Sequence, residues 1–158
     1  MSGNASFSVA VLVASLQLRA VQWVIEWEVV AVSVVKLDTI YALSSGAGKA
    51  GVAVVRLSGP DTARVVGSMC GGLPHPRMAE LRTLRSLSGG EAMDRCLVLW
   101  FPAPGSFTGE DLAEFHVHGS LGVVRWLLEE LGGPGGLRPA DPGEFARRAF
   151  MNGKMDLV

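Results

Sequence analysis

The stretch Val52-Ala53-Val54-Val55-Arg56-Leu57, followed at once by Ser58-Gly59-Pro60-Asp61, decides the class of fold. An apolar run of this length, rich in valine, is a buried strand. The Ser-Gly-Pro-Asp tetrad breaks it and opens a short helix that the pattern carries to about Met69. Arg56 is the odd member. A guanidinium inside an apolar strand needs an anionic partner. Glu114 and a ligand carboxylate are equally good candidates for that partner by pattern alone.

Working outward, Asp38–Leu43 reads as a short strand and Ser44–Gly51 as a loop of small residues. Gly71–Arg77, with two Gly and two Pro, is a second loop. Leu81–Leu87 and Arg95–Phe101 read as a hairpin turned through Ser88-Gly89-Gly90-Glu91. Pro102–Gly109 is a loop containing Phe107. Leu112–His118 alternates, with Leu112, Glu114, His116 and His118 on one face and Ala113, Phe115 and Val117 on the other. Leu121, Val124, Leu127, Leu128 and Leu131 have helical spacing, predicting a helix over Ser120–Leu131 that Gly132–Gly136 terminates. Pro142–Asn152 is predicted as a further helix, with Pro142 in its first turn and Gly153 past its end. The sum is an α+β domain: a mixed or antiparallel sheet with about three helices, and too few βαβ units for a doubly wound sheet.

The 158 residues, 49% hydrophobic and 18% charged with net charge −1, exclude a disordered chain. They also exclude a protein that holds nucleic acid by bulk positive charge. Cys70 and Cys96 are too few for a disulfide scaffold and lack zinc-finger spacing, so they read as reduced core thiols of an intracellular protein. One Gly and no Pro fall in residues 1–36, whereas 19 Gly and all 8 Pro fall after it. The expected organisation is therefore an atypical extension or leader, residues 1–36, and a globular domain, residues 37–158. The apolar run Val9–Leu18 is too short to span a bilayer, and Glu26 and Glu28 would sit deep in hydrocarbon if the helix continued. No membrane partner is expected. The segment also lacks the basic start of a secretory signal and the Arg-rich, acid-free composition of a mitochondrial transit peptide. An atypical leader, an alternative start or a mispredicted exon is preferred to any functional role for it.

Three groups invite chemistry. Gly46-Ala47-Gly48-Lys49-Ala50 suggests a phosphate loop, but Leu43 and Ala50 stand where Gly and a magnesium-binding hydroxyl are required. A plain turn, or a loop that lets backbone approach a ligand, is expected instead. Glu114, His116 and His118 share a strand face near Glu110 and Asp111, so a metal site is conceivable. A polar pocket wall is favoured over a metal, since no further ligand cluster appears. Arg147-Arg148 with Lys154 reads as a solvated helix face. No nucleophile elbow is present, and no catalytic residue is assigned.

Three longer motifs go beyond these patterns. They are Gly51-Val-Ala-Val-Val-Arg-Leu-Ser-Gly-Pro60; Leu99-Trp-Phe-Pro-Ala-Pro-Gly-Ser-Phe-Thr-Gly-Glu-Asp111 running on to Glu114-Phe-His-Val-His-Gly119; and Pro142-Gly-Glu-Phe-Ala-Arg-Arg-Ala-Phe-Met-Asn-Gly-Lys-Met-Asp-Leu157. In this order they resemble the N-terminal domain of the tRNA-modification GTPase family MnmE/TrmE, most closely in its animal mitochondrial form. The resemblance covers Asp38–Val158.

It implies a fold similar to the tetrahydrofolate-binding domain of aminomethyltransferases. It implies a module that binds 5-formyltetrahydrofolate or another reduced folate and that dimerises. The implied partners are a second copy or a full-length subunit, an MnmG-type flavoprotein, and tRNA as substrate of the full complex. The implied reaction modifies the wobble uridine at carbon 5, and the implied location is the mitochondrion. Carried over by motif, the folate-binding residues are Arg56, Glu114 and Lys154. Glu114 would accept the adjacent N–H donors of the pterin, and the two cations would meet the glutamate tail or the carbonyls. The Gly46–Gly51 loop would pack backbone against the ligand. The family's GTPase domain has no counterpart in this sequence, so GTP, magnesium and potassium belong to that domain and GTP hydrolysis is not expected of this chain. A truncated isoform acting only by pairing with full-length subunits, or a gene-model fragment, is the alternative.

Overall fold

The computed structural model describes residues 38–156, apart from 47 and 49. The leader and membrane readings of residues 1–36 lie outside the described residues. In chain order the elements are β1 (Ile40–Leu43), β2 (Val52–Ser58), α1 (Thr62–Cys70), β3 (Glu80–Arg85), β4 (Ala92–Phe101), β5 (Leu112–His118), α2 (Leu121–Gly132), β6 (Arg138–Pro139) and α3 (Glu144–Met151). The strands form one sheet in the order β3-β4-β5-β2-β1-β6. All pairings are antiparallel except β6 on β1, which is parallel. The architecture is the expected α+β one, with a mixed sheet and three helices.

The alternation of β2 and β5 sorts the molecule into faces. Ala53, Val55 and Leu57 of β2 and Ala113, Phe115 and Val117 of β5 point to one side, where Val65, Val66 and Met69 of α1 and Leu127 and Leu131 of α2 close a core. Cys96, Val98 and Trp100 of β4 extend it. Each large side chain so buried contributes roughly 1.5–3 kcal/mol. Both cysteines are buried here, and loss of water pushes each thiol up to about 12. The even-numbered residues of β2 and β5 point the other way. That second face is capped at its Ser58 end by α3, beneath which Ile40, Leu112 and Ala149 are buried.

Two element starts and one further strand depart from expectation beyond a shift of a residue or two at an element's end. The third helix begins at Glu144, not in the turn of Pro142, because Gly143 has φ +74° and cannot continue a right-handed helix. The fourth strand starts earlier, at Ala92, because Ala92 and Asp94 still pair with Arg85 and Leu84 around a bulge. The sixth strand was not expected. Its two residues are held by Arg138 N–H on Thr39 O at 3.1 Å and Ala140 N–H on Tyr41 O at 2.9 Å. No helix among the described residues is long and apolar enough to cross a membrane.

Candidate functional site

Arg56 and Glu114 are directly paired across β2 and β5. The register therefore sets the two side chains next to each other on the face away from the core. Arg56 Nε and Nη2 donate to Glu114 Oε1 at 3.0 and 2.8 Å. The question left open by the pattern has an answer: the anionic partner of Arg56 is Glu114. The guanidinium also lies 5.5 Å from the centroid of the Phe107 ring and 5.7 Å from that of Phe145. Two phenyl faces and one carboxylate thus fix its plane.

His116, one alternation further along β5, brings Nε2 to 3.2 Å from Glu114 Oε2. Glu114 is therefore the centre of a row, with the Arg56 cation on one oxygen and an imidazole on the other. A carboxylate has about four lone-pair sites. Three contacts leave acceptor capacity for a donor arriving from the open side of the sheet.

His118 leaves this row. Its Nδ1 lies 2.6 Å from Asp94 Oδ1, and its backbone N–H donates to Asp94 Oδ2 at 3.0 Å. Burial works to raise the Asp94 carboxyl, but the His118 and Arg95 N–H groups outweigh it and the net shift is downward. Among the described residues, no three His, Cys, Asp or Glu side chains converge as metal ligands would. The shared face of Glu114, His116 and His118 is a wall of paired polar groups.

The far end of the face is built by ion pairs. Arg138 Nη2 and Nη1 donate to Glu144 Oε1 and Oε2 at 2.7 and 3.1 Å. Arg148 Nη2 reaches Glu144 Oε1 at 3.1 Å and Asp38 Oδ1 at 2.6 Å. Arg148 Nη1 donates to Asp38 O and to Glu110. The Arg138 hydrogen bonds hold the Glu144 carboxyl down at about 2, against the pull of its own burial. Arg148, which the sequence placed on a solvated helix face, has a side chain only 11% exposed. Glu110 continues the chain by accepting from Ser58 Oγ at 2.6 Å, and Ser58 Oγ meets Thr108 Oγ1 at the same distance. This network fastens α3 and the 107–110 loop to the sheet, and so places Phe145 and Phe107 over Arg56.

Lys154 sits beside this loop. A Cβ on Gly109 would lie 3.0 Å from Asn152 Cβ and 3.3 Å from Lys154 Cε, and Asn152 Nδ2 donates to Thr108 O at 2.7 Å. Of the three predicted site residues, then, Arg56 and Glu114 are bonded together, and Lys154 is brought to the adjoining loop with no hydrogen bond or ion pair to them. The Gly46–Gly51 loop lies elsewhere. Ala50 and Gly51 border a cavity of about 390 Å³ with His118, Gly119, Ser120 and Leu121, at the Val52 end of β2. Sequence reasoning missed Phe107 and Phe145. Spacing along the chain could not reveal them, because they meet Arg56 only once three separate segments are assembled.

This domain, with its ion-paired strand face under a helix-borne phenylalanine, belongs to a defined class. Residues 39–154 match the family model "GTP-binding protein TrmE N-terminus", and the chain belongs to that family. It is 60% identical over 121 residues to the tRNA modification GTPase MnmE of Rhizobium meliloti (strain 1021), covering 77% of this chain and 27% of that protein. It is 58% identical over 121 residues to the mitochondrial 5-taurinomethyluridine-[tRNA] synthase subunit GTPB3 of Danio rerio, covering 77% of this chain and 24% of that one. The chain thus spans about a quarter of the length of these curated relatives.

Proposed function

We propose that residues 37–158 form a reduced-folate-binding and dimerisation module that serves modification of the tRNA wobble uridine at carbon 5. The observation that carries the folate reading is Glu114. Its Oε1 is held by Arg56 and its Oε2 lies beside His116, and the carboxylate, 18% exposed, keeps acceptor capacity between an aromatic-flanked cation and an imidazole. A pterin offers adjacent N–H donors on a flat ring, and a fixed carboxylate beside phenyl faces suits that shape. Lys154 would add a cation from the neighbouring loop. The ligand in this reading is 5-formyltetrahydrofolate, whose one-carbon group feeds the modification.

The tRNA role rests on the family and on what its relatives are named for; the MnmG-type flavoprotein partner is what the motif resemblance implies. A mitochondrial setting rests on the zebrafish relative, beside which bacterial relatives stand. GTP chemistry is not assigned to this chain, since Gly48-Lys49-Ala50 lacks the hydroxyl of a phosphate loop.

Calorimetric titration of the full chain with (6S)-5-formyltetrahydrofolate tests the reading. Wild type should bind, and Glu114→Gln should bind at least about tenfold more weakly, the scale of a lost charge-assisted hydrogen bond. A folded chain that does not bind refutes the folate assignment. Unchanged affinity in the variant removes Glu114 from the site. Sedimentation velocity tests dimerisation separately.

A further inference from the structure

The turn that leads toward β3 carries a residue out of place. Met78 N–H donates to His75 O at 3.2 Å, closing a four-residue turn over His75-Pro76-Arg77-Met78. Proline at the second position and a positive φ at the third are the plan of a type II turn, whose third residue is ordinarily Gly or Asn. Here it is Arg77, at φ +61°. A side chain in the left-handed region carries a steric cost that glycine does not. The backbone is pinned there by Arg77 N–H on Trp100 O at 2.8 Å.

The side chain accounts for the choice. Arg77 Nη2 donates to Gly105 O at 3.1 Å, in the Pro102–Gly109 loop. Arg77 is exposed and the acceptor is a neutral carbonyl, so the bond adds little to folding. Stability by itself favours glycine at position 77. The bond does tie down the loop two residues before Phe107, whose ring is 43% exposed and so is only partly held by packing. After Phe107, Thr108 Oγ1 meets Ser58 Oγ of the sheet at 2.6 Å. Before it, Ala103 N–H donates to Asp111 Oδ1 at 2.9 Å and Gly105 N–H to Pro102 O at 3.0 Å, both local to the loop. Among the described residues, the Arg77 bond is the only hydrogen bond upstream of Phe107 in this loop that comes from a distant segment. Gly105 is fitted to it, since a Cβ there would overlap Arg77 Nη2 and lie 3.0 Å from its Cζ.

We propose that Arg77 is a positioning residue of the folate site: its grip on Gly105 sets where Phe107 stands, and Phe107 helps set the plane of Arg56, which holds Glu114 Oε1. The inference rests on the folate reading above and deepens it by adding a residue that acts through others. The line of contacts runs from an exposed turn, through one carbonyl and one ring, to the carboxylate that would accept the pterin donors. A strained conformation kept for a clamp rather than for folding is the mark of such a role.

The test measures affinity and stability side by side on the full chain, by calorimetry with (6S)-5-formyltetrahydrofolate and by thermal melting. Arg77→Gly should bind about three- to tenfold more weakly, the scale of one lost hydrogen bond, while its melting temperature stays equal or rises. A residue with a structural role alone would move the melting temperature and leave the affinity of the folded chain. Gly105→Ala should repeat the loss from the other side, because the new methyl displaces the guanidinium. The double variant should be no weaker than either single one, since without Arg77 that methyl meets only Pro102 O, at 3.6 Å. In a Phe107→Ala chain, Arg77→Gly should have no further effect. Arg77→Gly and Gly105→Ala binding as wild type does overturns the proposal. So do losses that multiply in the double variant, or a loss that persists in full without Phe107. Wild type that does not bind overturns the folate reading and this inference together.

Discussion

Glu144→Gln removes one charge from the network that fastens α3 and leaves its shape. The Glu144 side chain is 2% exposed and accepts from Arg138, Arg148 and the backbone N–H of Asp141. Holding this carboxyl at about 2 rather than at its ordinary 4.5 is worth about 3 kcal/mol of folding free energy at neutral pH. Leaving the Arg148 guanidinium short of a partner in a site only 11% exposed acts in the same direction. The variant should therefore be about 3 kcal/mol less stable at pH 7 by urea denaturation followed by circular dichroism.

The acid dependence gives a second reading. A depressed folded-state pKa supplies stability above the unfolded value, near 4.5, and that stability disappears as pH falls toward 2. Wild type should lose the contribution over this window, and the variant, which never had it, should not. The two stabilities should converge in acid. Asp38 is also held down by Arg138 and Arg148, and it titrates in both proteins. Equal midpoints at pH 7, or a gap that stays constant to pH 3, would refute the reasoning.

Gly59→Ala should destabilise by about 2 kcal/mol or more, because φ is +132° and a Cβ would come within 2.7 Å of Asp38 O and Thr39 Cα, both backbone; an unchanged melting curve would count against the turn geometry. Cys70 and Cys96 should resist a chromogenic disulfide reagent at pH 8 in the native chain and react on unfolding, since burial keeps both thiols protonated; fast native labelling would contradict their placement. Phe145→Ala should weaken 5-formyltetrahydrofolate binding by several-fold through a less constrained Arg56, as read by calorimetry; unaltered affinity would leave Phe145 a packing residue only.

What could be read from the residues follows from where each signal resides. Arg56 was legible because a charge inside an apolar strand is anomalous in one dimension. Glu114 was legible as a face, and the antiparallel register then made it the partner. The sixth strand was not, since Arg138-Pro139 carries no periodicity and exists only because β1 offers free backbone groups. The start of α3 was misplaced because Pro142 and Gly143 both mark a helix beginning, and the left-handed Gly143 takes precedence. Arg148 looked solvated because its partners Asp38 and Glu110 are distant in the chain. Phe107 and Phe145 were silent for the same reason, and Lys154 was singled out by motif resemblance where pattern alone read it as part of a solvated helix face.

The span of the Arg148 contacts bears on the order of assembly. Its guanidinium bonds a carboxylate 110 residues earlier and another 38 residues earlier. During synthesis from the N-terminus, Asp38 and Glu110 emerge before it. Until it arrives they are like charges gathered around a missing cation, and their repulsion works against closing that end of the sheet. The helix α3, made after the strands it closes, is thus the latch. Every residue of the main apolar core precedes α3 in the chain, whereas the ring that completes the setting of Arg56, Phe145, lies within it.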